Sequence, residues 1–260
     1  MKAVILAAGV GSRLYGDDGT QPPKALLKFG GKSLLQRHIE TLKSLGVDGV
    51  TLVVGYRKEE LLDEIGAIGA SDYVTPIVNP DFRQGPVVSF WMARDTLTSS
   101  GDVLFMDADV LYHPRLLERL ITAPEANCFL FDQEIDAGED PVRLCIRNGV
   151  LVDFGKMIEG DFDSVGEWPG FLKLSAPTAQ LIVEAAERLI AAGQRDLAYE
   201  PAMREVLLAE PAGTFGFTDI SGIPWVEIDF PDDLRRANSE IIKRILAPDD
   251  VAPASTGSEA

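Results

Sequence analysis

Cysteine is nearly missing from this 260-residue chain, which holds two, Cys128 and Cys145. Two cysteines build no disulfide framework, and both sit in apolar runs, so they read as buried, inert thiols. Histidine is as scarce: only His38 and His113 are present, which excludes a histidine-based metal site. His38 falls on an amphipathic stretch and reads as a packed structural residue. Positive charge is also short, with 24 Lys plus Arg against 41 Asp plus Glu, a formal charge of −17. Basic residues never cluster beyond a pair, so the basic footprint of a nucleic-acid surface is absent and nucleic acid is not expected as a partner. Long apolar runs are lacking too. The first, Ala3 to Ala8, is far short of the roughly 20 residues that cross a bilayer. It also lacks the charged front and long apolar middle of a signal peptide, so no membrane association and a cytoplasmic location are expected.

Apolar runs bounded by turn residues recur at Val4 to Leu6, Val50 to Val54, Val103 to Met106 and Cys128 to Phe131. They are continuous rather than alternating, as in strands buried on both faces of a parallel sheet. Helical patterns separate them: Ser33 to Leu45, opening on the capping-box spacing Ser33-x-x-Gln36, then Lys58 to Ile65, Val87 to Leu97, and a stretch holding Leu116, Leu117, Leu120 and Ile121. The alternation predicts an α/β fold, a Rossmann-like, doubly wound and mostly parallel sheet.

Beyond about residue 134 the pattern changes. Val142 to Ile146, Asn148-Gly149 and Val150 to Phe154 predict a β-hairpin, the start of a small β-rich lobe. A strand near Phe171 leads to a long helix with Pro177 in its first turn, another helix begins near Glu200, and a last one runs from about Pro231 to Ile245. The Ala-, Pro- and Ser-rich end, 247–260, reads as a disordered tail. A single domain over 1–246 is expected, its first half ending near 133.

Two phosphate-binding patterns come close and miss. Gly9-Val10-Gly11-Ser12-Arg13-Leu14 has Leu14 where a dinucleotide fingerprint needs its third glycine, which argues against an NAD-dependent oxidoreductase. Gly31-Lys32-Ser33 has Leu26 where a P-loop needs its first glycine. What remains is Leu6-Ala7-Ala8-Gly9-Val10-Gly11-Ser12-Arg13 directly after a strand, with Pro23-Lys24 following. Small residues admit a ligand close to the backbone, and successive N–H groups there cradle phosphate oxygens. The glycines alone fit an ordinary strand-to-helix turn equally well.

With Arg13 and Pro23-Lys24 added, this segment resembles the opening of the nucleotidyltransferases that activate phosphorylated sugars and alcohols with NTPs. The resemblance implies that Leu6, Ala7, Ala8, Gly9, Gly11 and Ser12 wrap the triphosphate while Arg13 and Lys24 act in catalysis. Asp109, in Met106-Asp107-Ala108-Asp109-Val110, takes the position of a metal-binding Asp in that family, with Asp107 beside it on the nucleotide side. Glu227-Ile228-Asp229 resembles the late acidic motif, Asp229 matching its second metal ligand, although an acid at a helix N-terminus is an equally simple reading. Two carboxylates with phosphate oxygens make an all-oxygen shell suited to Mg²⁺.

Further segments are similar to the short CTP-dependent cytidylyltransferases for phosphocholine, aminoethylphosphonate or inositol phosphate. That similarity implies CTP and a small phosphate or phosphonate acceptor as substrates, and is compatible with a homodimer. It places Gly55, Gly85 and Ser89 near the base or ribose, Lys156 at the acceptor phosphate, and Trp168, Tyr199 and Glu200 at a cationic head group. Lys156 reads equally as a solvated hairpin lysine, and Trp168 and Tyr199 as core. A sugar-1-phosphate nucleotidyltransferase using UTP, GTP or dTTP, and a catalytically silent nucleotide-binding protein, are the alternatives. Between Arg13 and Lys24 the chain departs from the sugar-activating members, carrying Asp17 and Asp18.

Overall fold

The continuous apolar runs become strands of one seven-stranded sheet: β1 (Lys2–Ala7), β2 (Val50–Val54), β3 (Val74–Val78), β4 (Val103–Asp107), β5 (Cys128–Phe131), β6 (Phe171–Leu174) and β7 (Gly216–Asp219). The computed structural model describes residues 1–16, 19–134 and 141–247; Asp17, Asp18 and the tail from residue 248 lie outside them. The strand order is β7-β5-β6-β4-β1-β2-β3. All pairings are parallel except those of β6, which runs antiparallel to both its neighbours β4 and β5. The sheet is thus mostly parallel, as the sequence pattern implies.

Side chains of one strand alternate between two cores. Val4, Val53, Phe105, Phe129 and Leu172 enter the core on one face, with the helices Pro86–Met92, Ala176–Ala191 and Glu200–Ala209. Ile5, Leu52, Met106, Leu130 and Phe171 enter the other, with Leu34–Ser44, Lys58–Ala67 and Pro114–Thr122. This two-sided burial is why these strands are apolar without alternation. A third cluster packs Leu14, Phe29 and Leu111 against Val226, Ile241 and Ile245, seating the end of the chain beside the first loop. Among the described residues no helix is long and apolar enough to cross a membrane.

Several elements differ from their expected form. Ser33 caps its helix by accepting from the Gln36 N–H at 3.0 Å, but the Gln36 side chain donates to Glu40, so only half of the capping box forms. The stretch 87–97 is two helices, Pro86–Met92 and Arg94–Leu97, divided at Ala93, whose N–H turns back to the Phe90 carbonyl. The last helix is interrupted: Pro231–Arg236 and Ile242–Leu246 flank a π-helical turn at Ala237–Ile241. The hairpin forms as Arg143–Arg147 and Val150–Gly155, with Asn148 (φ 51°) and Gly149 (φ 75°) both left-handed at its turn. A third strand, Ser164–Glu167, joins it to complete the β-rich lobe, whereas Phe171–Leu174 belongs to the main sheet. Outside both sheets, Val110–Tyr112 pairs antiparallel with Trp225–Glu227.

Gly85 locks the helix Pro86–Met92 to the segment before Glu200–Ala209. Its N–H donates to the Arg195 carbonyl at 2.6 Å, and a Cβ on it would lie 2.1 Å from the Leu197 carbonyl oxygen. Backbone on both sides leaves no room to adjust. Gly85→Ala is therefore expected to destabilise the chain by about 1–3 kcal/mol, read as a lower denaturation midpoint at unchanged m-value.

Candidate active site

β1 and β4 lie side by side with Leu6 opposite Asp107, and the chain turns to β2 on one side of β1 and to β4 on the other. The carboxyl ends at such a reversal are where open α/β sheets leave a crevice. A cleft of about 900 Å³ opens there. Leu6, Ala7, Ala8, Gly9, Gly11, Ser12 and Arg13 line it. Gly11 sits at φ +72°, a conformation that favours glycine, and a Cβ on it would press on the Lys24 side chain at 3.3 Å. A Cβ on Gly9 would meet nothing within 4 Å, so the loop faces open space there.

Lys24 enters from the next turn of chain. Its Nζ lies 3.0 Å from Asp109 Oδ2 and 2.6 Å from Asp229 Oδ1, while Arg13 Nη2 lies 2.9 Å from Asp229 Oδ2. Burial works against the Lys24 ammonium, but the two carboxylates outweigh it and raise its pKa above the ordinary lysine value. The helix-capping duty that Asp229 could have served falls to Asp233, whose Oδ2 accepts from the N–H groups of Asp229 (3.0 Å) and Phe230 (2.7 Å). The Asp229 carboxylate is left to face Lys24 and Arg13.

Glu227 is the acid that the sequence reading did not single out. Glu227 and Asp229 are two apart in an extended segment and so share a face. Carboxylate oxygens of Asp109, Glu227 and Asp229 lie within 4.8 Å of one another. Burial first, and then Asp109 and Asp229, hold the Glu227 pKa well above the usual carboxylate range. Asp107 is raised likewise by burial and by Asp109, and its Oδ2 accepts a hydrogen bond from the Tyr199 hydroxyl. Gly170, at φ +81°, makes room for it, since a Cβ there would lie 2.6 Å from Asp107 Oδ2. The three-carboxylate set offers oxygen donors alone, and with all three ionised it would carry more negative charge than Lys24 and Arg13 offset, so its chemistry fits a hard divalent cation.

The same cleft is also lined by Lys156, Trp168, Tyr199 and Glu200. Trp168 is 3% exposed, donates its Nε1–H to the Phe171 carbonyl at 2.7 Å, and meets Phe154, Phe129 and Tyr199 at ring angles near perpendicular. Tyr199 stacks on Phe90 and meets Phe105 at 4.8 Å between centroids. Both rings are core residues that also wall the cleft. Glu200 brings an Oε2 with no hydrogen-bond partner among the described residues, and burial raises its pKa. Asp132 and Glu167, for which the sequence gives no signal, line it too, with Trp225. Trp225 Nε1 donates to Asp132 Oδ2 at 2.6 Å, and burial with Asp132 nearby pushes Glu167 up to about 7. Ser89 lines the cleft and accepts from Asn79 at 2.9 Å. Gly55 and Gly85 are not among the lining residues; a Cβ on Gly55 would lie 2.4 Å from Phe82 Cβ, so both glycines are closed in by packing.

Residues 3–159 match the MobA-like NTP transferase domain. The chain is 31% identical over 252 residues to the CMP-5'-(3-aminopropyl)phosphonate synthase of Streptomyces rubellomurinus, an alignment covering 92% of this chain and 38% of that protein. It therefore spans well under half the length of that relative. The CTP:phosphoglutamine cytidylyltransferase of Campylobacter jejuni is 26% identical over 256 residues, 90% of this chain and 98% of that one. In fold, the chain is similar to the inositol-1-phosphate CTP transferase from T. maritima, with a TM-score of 0.72 at 21% identity over 94% of each chain.

Lys24 and a bound divalent cation would answer the same carboxylates. Lys24→Met is expected to lower stability in the presence of chelator by on the order of 1–3 kcal/mol, since the acids lose their nearest counter-charge. Added Mg²⁺ should then raise the melting temperature of the variant more than that of the wild type. Equal shifts in a thermal melt would show that ammonium and metal do not share these ligands.

Proposed function

The chain belongs to the MobA-like NTP transferase family, and on that footing we propose that it is a cytidylyltransferase moving CMP from CTP to the phosphate or phosphonate of a small zwitterionic acceptor. The observation that carries the reading is the meeting of the Gly9–Gly11 loop with the Lys24–Asp109–Asp229 cluster at one cleft. The cytidine donor is supported by two of the relatives, one named for the synthesis of a CMP-linked phosphonate and one as a CTP-dependent cytidylyltransferase.

In this reading residues 1 to about 133 serve chiefly the nucleotide, and about 134 to 246 supply most of the acceptor site and the second metal ligand, Asp229. The backbone from Leu6 to Ser12 takes the triphosphate, with Ser89 toward the nucleoside. An ionised acceptor oxygen attacks the α-phosphorus, the bond to the β-phosphate oxygen breaks, and pyrophosphate leaves. Such an oxygen is already deprotonated near neutral pH, so no general base is required. Lys24 and Arg13 offset the negative charge that gathers at the α-phosphate, and the loop and cluster align the reactants. Asp109 and Asp229, joined by Glu227, would hold Mg²⁺, which when bound neutralises phosphate charge. Asp107, fixed by Tyr199, holds the backbone beside Asp109 in place.

The acceptor end is assigned to Lys156 for the phosphate or phosphonate and to Glu200, with Asp132 and Glu167 nearby, for a positive head group. Trp168 and Tyr199 spend their faces on other aromatic rings, so they wall this pocket without forming an open aromatic cage. Carboxylate contacts suit a primary ammonium, which donates hydrogen bonds, better than a trimethylated one.

Pyrophosphate release with Mg²⁺ tests the reading, crossing four NTPs with aminoalkylphosphonates, phosphocholine, inositol phosphate and sugar-1-phosphates. The expected result is release with CTP and an aminoalkyl phosphate or phosphonate. Release only with another NTP and a sugar phosphate would overturn it. Asp109→Ala is expected to lower turnover by ~10²-fold or more with an unchanged circular dichroism spectrum; near-normal turnover in that variant would remove Asp109 from the metal site.

A further inference from the structure

We propose that His38 is a positioning residue: as an Nε2–H tautomer it pins the stretch from Ala108 to Tyr112, which carries Asp109 and against which the segment of Glu227 and Asp229 is paired. The inference rests on the active-site reading given above.

His38 lies on the helix Leu34–Ser44, is 0% exposed, and does not line the cleft. Its Nε2 is 3.1 Å from the Ala108 carbonyl oxygen and its Nδ1 is 3.2 Å from the Tyr112 hydroxyl. A carbonyl oxygen only accepts, so Nε2 carries the hydrogen. Nδ1 is then a lone pair, and the Tyr112 hydroxyl donates to it. Burial pushes the imidazole pKa down to about 4, so the ring stays neutral where the protein works. Phe171 and Tyr112 wall it, at 6.1 and 5.3 Å between centroids.

Both bonds reach one stretch of chain, at Ala108 and Tyr112, on either side of Asp109. Ala108 stands between Asp107 and Asp109; its N–H donates to the Leu6 carbonyl at 3.3 Å, so β1 holds this peptide from one side and His38 from the other. Tyr112 belongs to Val110–Tyr112, which pairs with Trp225–Glu227: Tyr112 is opposite Trp225 and Val110 opposite Glu227. The Ile228 N–H, between Glu227 and Asp229, donates to the Asp109 carbonyl at 3.0 Å. One ring thus fixes the stretch that holds Asp109, and the segment of Glu227 and Asp229 takes its place by pairing with that same stretch. Ile39 and Leu42 of the same helix are apolar core residues, and a leucine at position 38 would fill the space but strand the Ala108 carbonyl. What the imidazole adds is a donor and an acceptor at fixed angles.

With two histidines in the chain, His113→Gln leaves a single imidazole for long-range ¹⁵N–¹H correlation spectra. The expected pattern is that of an Nε2–H tautomer, unchanged from pH 6 to pH 8; an Nδ1–H tautomer would overturn the proposal. His38→Gln keeps an amide donor for the Ala108 carbonyl and should turn over within about threefold of wild type. His38→Leu should lose about 10- to 100-fold in kcat with the KM for CTP little changed. Leu42→Ala, a core cavity in the same helix, should lower the melting temperature without that loss. Parallel losses in His38→Leu and Leu42→Ala, or wild-type turnover in His38→Leu, would sink the inference alone. If His38→Leu does not fold, Tyr112→Phe removes the Nδ1 donor together with a side-chain hydrogen bond to Thr41, and Thr41→Val removes the latter alone. Tyr112→Phe should reduce kcat at unchanged KM beyond Thr41→Val, and unchanged kcat would overturn the proposal. A wild type that releases no pyrophosphate with any substrate pair sinks the activity reading, and this inference with it.

Discussion

One buried ammonium ties the molecule together. Lys24 bonds Asp109, 85 residues ahead, and Asp229, 205 residues ahead, and neither carboxylate could sit in the cleft without a counter-charge. The first loop, the end of the central strand β4 and the segment before the last helix must therefore arrive at one point. The rest of the architecture can be read as what makes that arrival exact to hydrogen-bond distance. The β1–β4 pairing fixes Asp107 against Leu6, the antiparallel pair Val110–Tyr112 and Trp225–Glu227 carries the last acids in, and the cluster around Leu14, Phe29 and Ile241 seats the chain end.

What the sequence disclosed follows from the same physics. Strands buried on both faces advertise themselves as unbroken apolar runs, so β1, β2, β4 and β5 were legible. β3 and β7 were not. β3 is an edge strand with Pro76 in it and exposed residues at Thr75 and Pro76, and β7 is a short edge strand without a buried residue, so neither leaves a periodic trace. Asp109 and Asp229 were accessible only through a resemblance of motifs. Glu227 carried a signal of its own, two residues from Asp229 in an extended segment, where both side chains share a face. Gly170 and the Asp132–Glu167 pair gave none, because their surroundings arise from contacts between distant strands. Gly55 and Gly85 show the converse: a glycine in a nucleotide-like context can be small because backbone and Phe82 press on it.

The cleft and the core are not separate structures. Trp168 and Tyr199 pack into the aromatic cluster of Phe90, Phe105, Phe129 and Phe154 while presenting an edge or a hydroxyl to the cavity. His38 packs in the opposite core and bonds the Ala108 carbonyl beside Asp109, without lining the cavity. Site geometry is thereby set by close-packed groups that cannot move singly, which is how a fold holds reacting groups to within a fraction of an ångström. Aromatic residues in such a chain are poor guides to ligand chemistry when only their type is known. Which of their faces are already occupied decides what they can bind.

Charge closes the argument. The chain carries −17 overall, and the cleft that would take a polyanionic nucleotide is lined by more carboxylates than cationic side chains. Local field rather than total charge governs entry, and Arg13 and Lys24 stand where the loop opens. Yet both are engaged with Asp109 and Asp229, so they neutralise a triphosphate fully only if something else neutralises those acids. A divalent cation at the cluster would do so, and a positive head group would do so beside Glu200. Each cation bound would free favourable field for the anion, and the anion would in turn favour the cation, so on the proposed activity the affinities of donor, metal and acceptor would be reciprocally coupled. An acid-rich cleft is then no obstacle to an anionic substrate: it would make occupancy by the anion conditional on the cations bound beside it.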